Sequence, residues 1–119
     1  MENAEYPEVI RKLPEADIPL EGVRGWILQG RNHQVVFFDI APVGKVPEHS
    51  HGEQWGVVIE GEMDLTIDGR TRRLTKGASY LIPAGAPHSA TFQTRCKAID
   101  FFTDPDRYRP KESGPDEKS

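Results

Sequence analysis

Apolar residues return at every second position along much of this chain, in short blocks that end at Gly, Pro or Asp-Gly. Alternation of period two puts successive side chains on opposite faces of an extended strand, so each block predicts a strand with a buried face. Val36, Phe38 and Ile40 share one face of the block 34–41, and Val35 and Phe37 make its other face apolar too. Such a strand is expected to be covered on both sides. Met63, Leu65 and Ile67 alternate with Glu62, Asp64, Thr66 and Asp68, the pattern of a strand half in water. Asp68-Gly69 predicts a tight hairpin into a strand over 70–74. There Arg70, Arg72 and Arg73 face the acidic residues as a solvated charge ladder. Further strands are expected over 26–29, 55–60, 78–82, 88–93 and 95–102, with another carrying His49 and His51.

No block shows a convincing helical period. Eight or nine short strands, with ten Pro and eleven Gly for turns, predict an all-β fold: an antiparallel double-sheet barrel of jelly-roll type. A chain of 119 residues is one domain. Residues 1–24, broken by Pro7, Pro14 and Pro19, are expected to form an extended arm against the barrel or a partner subunit. Residues 25–103 form the barrel, and 104–119 a polar tail, disordered from about Pro110.

Charge and composition narrow the partners. The formal charge is −4, and no Lys/Arg cluster is longer than Arg72-Arg73, which argues against nucleic acid and anionic membranes. There is no basic-then-apolar leader, and no apolar run approaches the ~18 residues of a membrane span. A lone cysteine, Cys96, forms no internal disulfide and reads as a buried filler. A cytoplasmic, reduced location is expected. Trp55 is expected to point outward, and with the apolar positions of the arm it predicts a homodimer.

The candidate chemistry lies in two segments. In the first, His49 and His51 share a strand face, Gln54 follows, and an apolar run closes on Gly61. In the second, Gly77, Pro83 and Gly85 precede His88. Three imidazoles and one oxygen donor suit a divalent transition metal (Zn, Ni, Fe, Mn or Co) and leave positions open for water or a small-molecule substrate. The oxygen donor has two candidates. Strand parity favours Glu53, whereas a bulge at Gly52 would shift parity and favour Gln54. Asp100 is the other informative residue. Set between apolar neighbours, it either lies in the cavity as an acid or base, or sits at a rim paired with Arg95 or Lys97.

The two segments resemble the paired motifs of the cupin superfamily. Gly77, Pro83, Gly85 and His88 stand at the spacing of the second motif, with Phe92 in place of its terminal Asn. His49, His51 and Gly61 match the first, and Gly44 stands one residue closer than usual. The family's acidic ligand falls six residues before the closing glycine, and here that position is Gln54. The resemblance covers about residues 34–102 and implies a metal held by His49, His51, Gln54 and His88. Gln54, Asp100 and Phe102 further resemble a branch of small cupins that open the unsaturated uronates released by pectin and alginate lyases. In that branch an Arg follows shortly after; Arg107 stands one residue further on. The resemblance implies catalytic roles for Asp100, Phe102 and Arg107 in ring opening and tautomerisation of a sugar acid. Two other readings use the same metal site: an iron-dependent dioxygenase-type cupin, and a non-catalytic, metal-dependent sensor of a small molecule.

Overall fold

The computed structural model describes residues 5–112. One helical turn, α1 (Glu8–Arg11), precedes nine strands. These are β1 (Val23–Gln29), β2 (Gln34–Ile40), β3 (Lys45–His49), β4 (Gln54–Glu60), β5 (Glu62–Ile67), β6 (Arg70–Thr75), β7 (Ser79–Ile82), β8 (His88–Thr91) and β9 (Cys96–Phe102). Two antiparallel sheets, in the orders β1-β2-β9-β4-β7 and β3-β8-β5-β6, face each other as the jelly-roll barrel that the alternation predicts.

The inward positions build one apolar core. Val36, Phe38 and Ile40 of β2 meet Val58, Met63, Leu65, Leu74, Ile82 and Phe102 there, and Cys96 is fully buried as the expected filler. The second apolar face of β2 is covered by the arm at Phe37. The Tyr6 ring packs edge-on against Trp26 and Phe37, each with ring centroids 5.9 Å apart, and its hydroxyl donates to the Phe38 carbonyl at 2.9 Å. The arm also contains the one helical turn that proline spacing did not predict. Pro7, with its fixed φ of −63°, precedes that turn, and its carbonyl accepts from Ile10 N and Arg11 N.

At the hairpin, Asp68 and Gly69 both take positive φ, at 50° and 80°, as a type I′ turn requires. Of the expected charge ladder only Arg73 takes part, pairing with Asp64 at 2.9 Å and Glu62 at 3.5 Å on the exposed face of β5 and β6; the register sets Arg72 opposite Leu65 and Arg70 opposite Ile67 instead. Past the last strand, Tyr108 packs on Phe38 and Phe102, and Gln34 bonds both the Tyr108 N–H and its carbonyl. Ala16 bridges Pro110, and Lys111 N donates to the Glu15 carbonyl, so residues 104–111 lie against barrel and arm. Residues 1–4 and 113–119, which include most of the expected disordered tail, lie outside the described residues.

Strand register also sorts the outer face of the five-stranded sheet. Leu28, Val35, Phe101, Trp55 and Leu81 are direct cross-strand neighbours in one row across all five strands. Four of them are exposed, including Trp55 as expected, and His33 stacks on Phe101. Among the described residues no helix is long and apolar enough to cross a membrane.

Candidate metal centre

His49, His51 and His88 converge. Their ligating nitrogens all lie within 4.8 Å of one another. His49 ends β3 and pairs directly with His88, the first residue of β8. His51 does not share that strand. β3 ends at His49, and residues 50–53 form the link to β4 in the other sheet. This link, rather than a strand bulge at Gly52, resets the parity. It is held at its β4 end: Gly52 N donates to Asp104 Oδ2 at 2.8 Å, and Thr103 N donates to the Glu53 carbonyl at 3.0 Å. The turn between β7 and β8 holds it as well. Gly85, at φ 80°, donates its N–H to the His51 carbonyl at 2.8 Å, so the Pro83-to-Pro87 turn fixes two ligands together.

Each imidazole is oriented by a backbone carbonyl. Nδ1 of His49 faces Pro47 O at 2.8 Å, that of His51 faces Gly52 O at 2.8 Å, and that of His88 faces Ala86 O at 2.9 Å. A carbonyl only accepts, so the proton sits on Nδ1 and the Nε2 lone pair is free. His51 Nε2, His88 Nε2 and Gln54 Oε1 are all buried without a hydrogen-bond partner. Three buried acceptors lacking a donor are costly unless something positive meets them. This donor set fits a divalent transition ion held by His49, His51 and His88. Gln54 is buried and lines the same cavity, whereas Glu53 is exposed.

Asp100 lies in the same cavity and is not at a rim. Arg95 pairs with Asp39 at 2.6 Å and Lys97 with Glu60 at 2.8 Å, which rules out the rim pairing. The Asp100 carboxylate accepts from Gln54 Nε2 at 2.6 Å and from the Tyr80 hydroxyl at 2.8 Å. The sequence reading missed Tyr80 and Gly56. In register, Gly56 of β4 stands between Tyr80 on β7 and Asp100 on β9. A Cβ at Gly56 would collide with the Tyr80 ring and with Asp100 Oδ2, so only glycine lets the phenol reach across β4. The common parity of 54 and 56, of 80 and 82, and of 100 and 102 was the available signal.

Phe102 is buried and walls the site, packing edge-on against His51 with centroids 5.6 Å apart. Arg107 also lines the cavity. Its guanidinium lies over the Tyr108 ring at 4.3 Å, and its Nε is buried without a partner. The cavity volume is about 70 Å³, well below the several hundred Å³ of drug-sized pockets, so it suits a small ligand.

The model of the cupin-domain family matches residues 36–102. The chain belongs to the cupin family. It is 30% identical over 99 residues to the H2HPP isomerase of Bacillus subtilis, covering 73% of this chain and 42% of that protein. It is 53% identical over 54 residues to the HTH-type transcriptional regulator PuuR of Escherichia coli, covering 44% of this chain and 29% of the regulator. The chain thus spans less than half the length of these curated relatives. Among solved structures, an RmlC-like cupin from Shewanella frigidimarina superposes with TM-score 0.74 at 27% identity, over 90% of this chain and 96% of that one. A three-histidine cluster of this kind is typical of cupins that act on small polar ligands.

The cavity groups titrate in opposite senses. Burial pushes the Asp100 carboxyl up to about 7 despite the bonds from Gln54 and Tyr80. Burial also pushes His51 down to about 4 and lowers His49. A raised carboxyl contributes stability that is fully present below about pH 4 and is lost as pH rises through about 7. Depressed imidazoles contribute stability that is present above about pH 6.5 and is lost as pH falls towards their folded values. The two slopes oppose each other between pH 4 and 7. Asp100→Asn removes the first, so the metal-free variant should lose melting temperature more steeply than the wild type from pH 7 to 5. Parallel profiles would contradict these shifts.

Proposed function

We propose that this cupin is a metal-dependent isomerase that opens and tautomerises a small sugar acid of the unsaturated-uronate class. The observation that supports it most is geometric. A buried carboxylate (Asp100), an Arg with a buried, unpartnered N–H (Arg107) and three convergent imidazoles line or adjoin one small cavity. The isomerase among the relatives is consistent with proton relocation without net oxidation. When bound at His49, His51, Gln54 and His88, a divalent ion supplies Lewis-acid polarisation of a substrate oxygen.

The remaining steps belong to this chain's residues. Arg107 pairs with the substrate carboxylate, with its guanidinium plane braced on Tyr108. Phe102 closes the wall beside His51 and keeps water from the reacting face. Asp100 takes the proton of the anomeric hydroxyl as the bond between the anomeric carbon and the ring oxygen breaks, leaving an aldehyde and an enolate. It returns that proton to the enolate's alkene carbon, giving the keto form, so atoms and electrons balance. A carboxyl raised to about 7 is matched to give and take a proton near neutrality.

A second reading, a ligand-sensing domain, is favoured by the 53% identity to part of PuuR. Proton NMR of metal-loaded protein with unsaturated galacturonate separates the two. The enzyme reading expects the open keto form to appear at least about 100-fold faster than spontaneously, as general acid–base catalysis alone provides, and Asp100→Ala to abolish the acceleration. No acceleration, with saturable binding of the same sugar acid, would sink it in favour of the sensor. The homodimer is also a proposal, supported by the exposed row of Leu28, Phe101, Trp55 and Leu81. Sedimentation analysis should give a dimer for the wild type and a monomer for Trp55→Glu; a wild-type monomer would refute it.

A further inference from the structure

Gln54 presents two chemically different ends, and something must decide which end faces the cavity. An amide can turn by half a revolution with almost no change of shape, exchanging an acceptor for a donor. The carboxylate of Asp100 only accepts. It meets Gln54 Nε2 at 2.6 Å, and that contact leaves Oε1 as the buried acceptor without a partner. The carboxylate is itself held in place, because the Tyr80 hydroxyl donates to its two oxygens at 2.8 and 2.9 Å. Tyr80 reaches it only across Gly56, where any Cβ would collide with the phenol.

We infer that Asp100, locked by Tyr80 through the gap at Gly56, is the positioning residue that makes Gln54 turn its carbonyl oxygen to the cavity. Positions 54 and 100 form an amide–carboxylate pair whose members are exchangeable only together. While Asp100 is ionised, a glutamate at 54 gives it no donor and sets two carboxylates against each other inside the barrel. The exchanged pair, glutamate at 54 and asparagine at 100, restores the match. The asparagine Nδ2 donates to the glutamate, its Oδ1 accepts from Tyr80, and the net charge of the site is unchanged. This explains within one chain why a glutamine stands where the family motif has a glutamate. It rests on the metal reading only for its consequence, that an oxygen rather than an NH₂ group faces the ion.

The test is a double-mutant cycle on the metal-free full chain, read as melting temperature, with Co(II) uptake followed separately by absorbance. Gln54→Glu is expected to lower the melting temperature by about 5–10 °C, the scale of one buried unmatched polar contact in a domain of this size. Asp100→Asn should cost less, because the new amide can still accept from Gln54. The double variant should return to within about 3 °C of the wild type, well outside additivity. If Gln54→Glu fails to fold while the double variant folds, the pairing is supported equally. Losses that add in the double variant, or a double variant that also fails to fold, overturn it. A wild type that takes up no Co(II) would remove the metal reading instead, while the melting cycle still decides the pairing.

Discussion

A carboxylate inside a β-barrel is tolerated only when donors meet it, because an ion stripped of water without partners costs several kcal/mol. Asp100 imposes that demand on the centre of this molecule, being 2% exposed. Two strands answer it. β4 contributes the Gln54 amide and the vacant position at Gly56, and β7 contributes the Tyr80 hydroxyl that fills the vacancy. Pairing of β4 with both β7 and β9 sets this register, and a slip of one residue would turn each of these groups to the outer face. The polar centre and the strand register therefore specify each other.

The histidine cluster solves a different problem, convergence from separate segments. β3 supplies His49, the link to β4 supplies His51, and β8 supplies His88. None of the three rings is left free to rotate, because a backbone carbonyl holds each Nδ1. The Gly85 N–H tied to the His51 carbonyl couples the turn before β8 to the link after β3. The family's paired glycine- and proline-bearing segments thus act as one structural unit in this chain. Arg107 and Phe102 join it from the far end of β9 and the segment beyond, so the cavity draws on both sheets.

Much of this was legible in the sequence. Alternation at Val36, Phe38 and Ile40 and at Met63 and Leu65 gave strands and buried faces, because a two-sided strand records its environment in every second residue. Histidine spacing around Gly61 and Gly85 gave the cluster. Counting back from Gly61 pointed to Gln54, which is buried in the cavity while Glu53 is exposed, although the parity change comes from the link 50–53 rather than from a bulge. Tyr80 and Gly56 were hidden, because their contact runs sideways between strands and depends on a register that no single block encodes. An aromatic in a half-buried strand looks like ordinary core, and a glycine there looks like mere permissiveness. The turn at Glu8–Arg11 escaped because its prolines suppress a helical period without forbidding a single turn.

We propose that His49, His51 and His88 hold a divalent metal ion with the Gln54 amide oxygen beside them. X-ray absorption at the cobalt edge, on tag-free protein loaded with one equivalent of Co(II), addresses it most directly. Multiple scattering from three imidazole rings is expected. A fit with two imidazoles or fewer would contradict it.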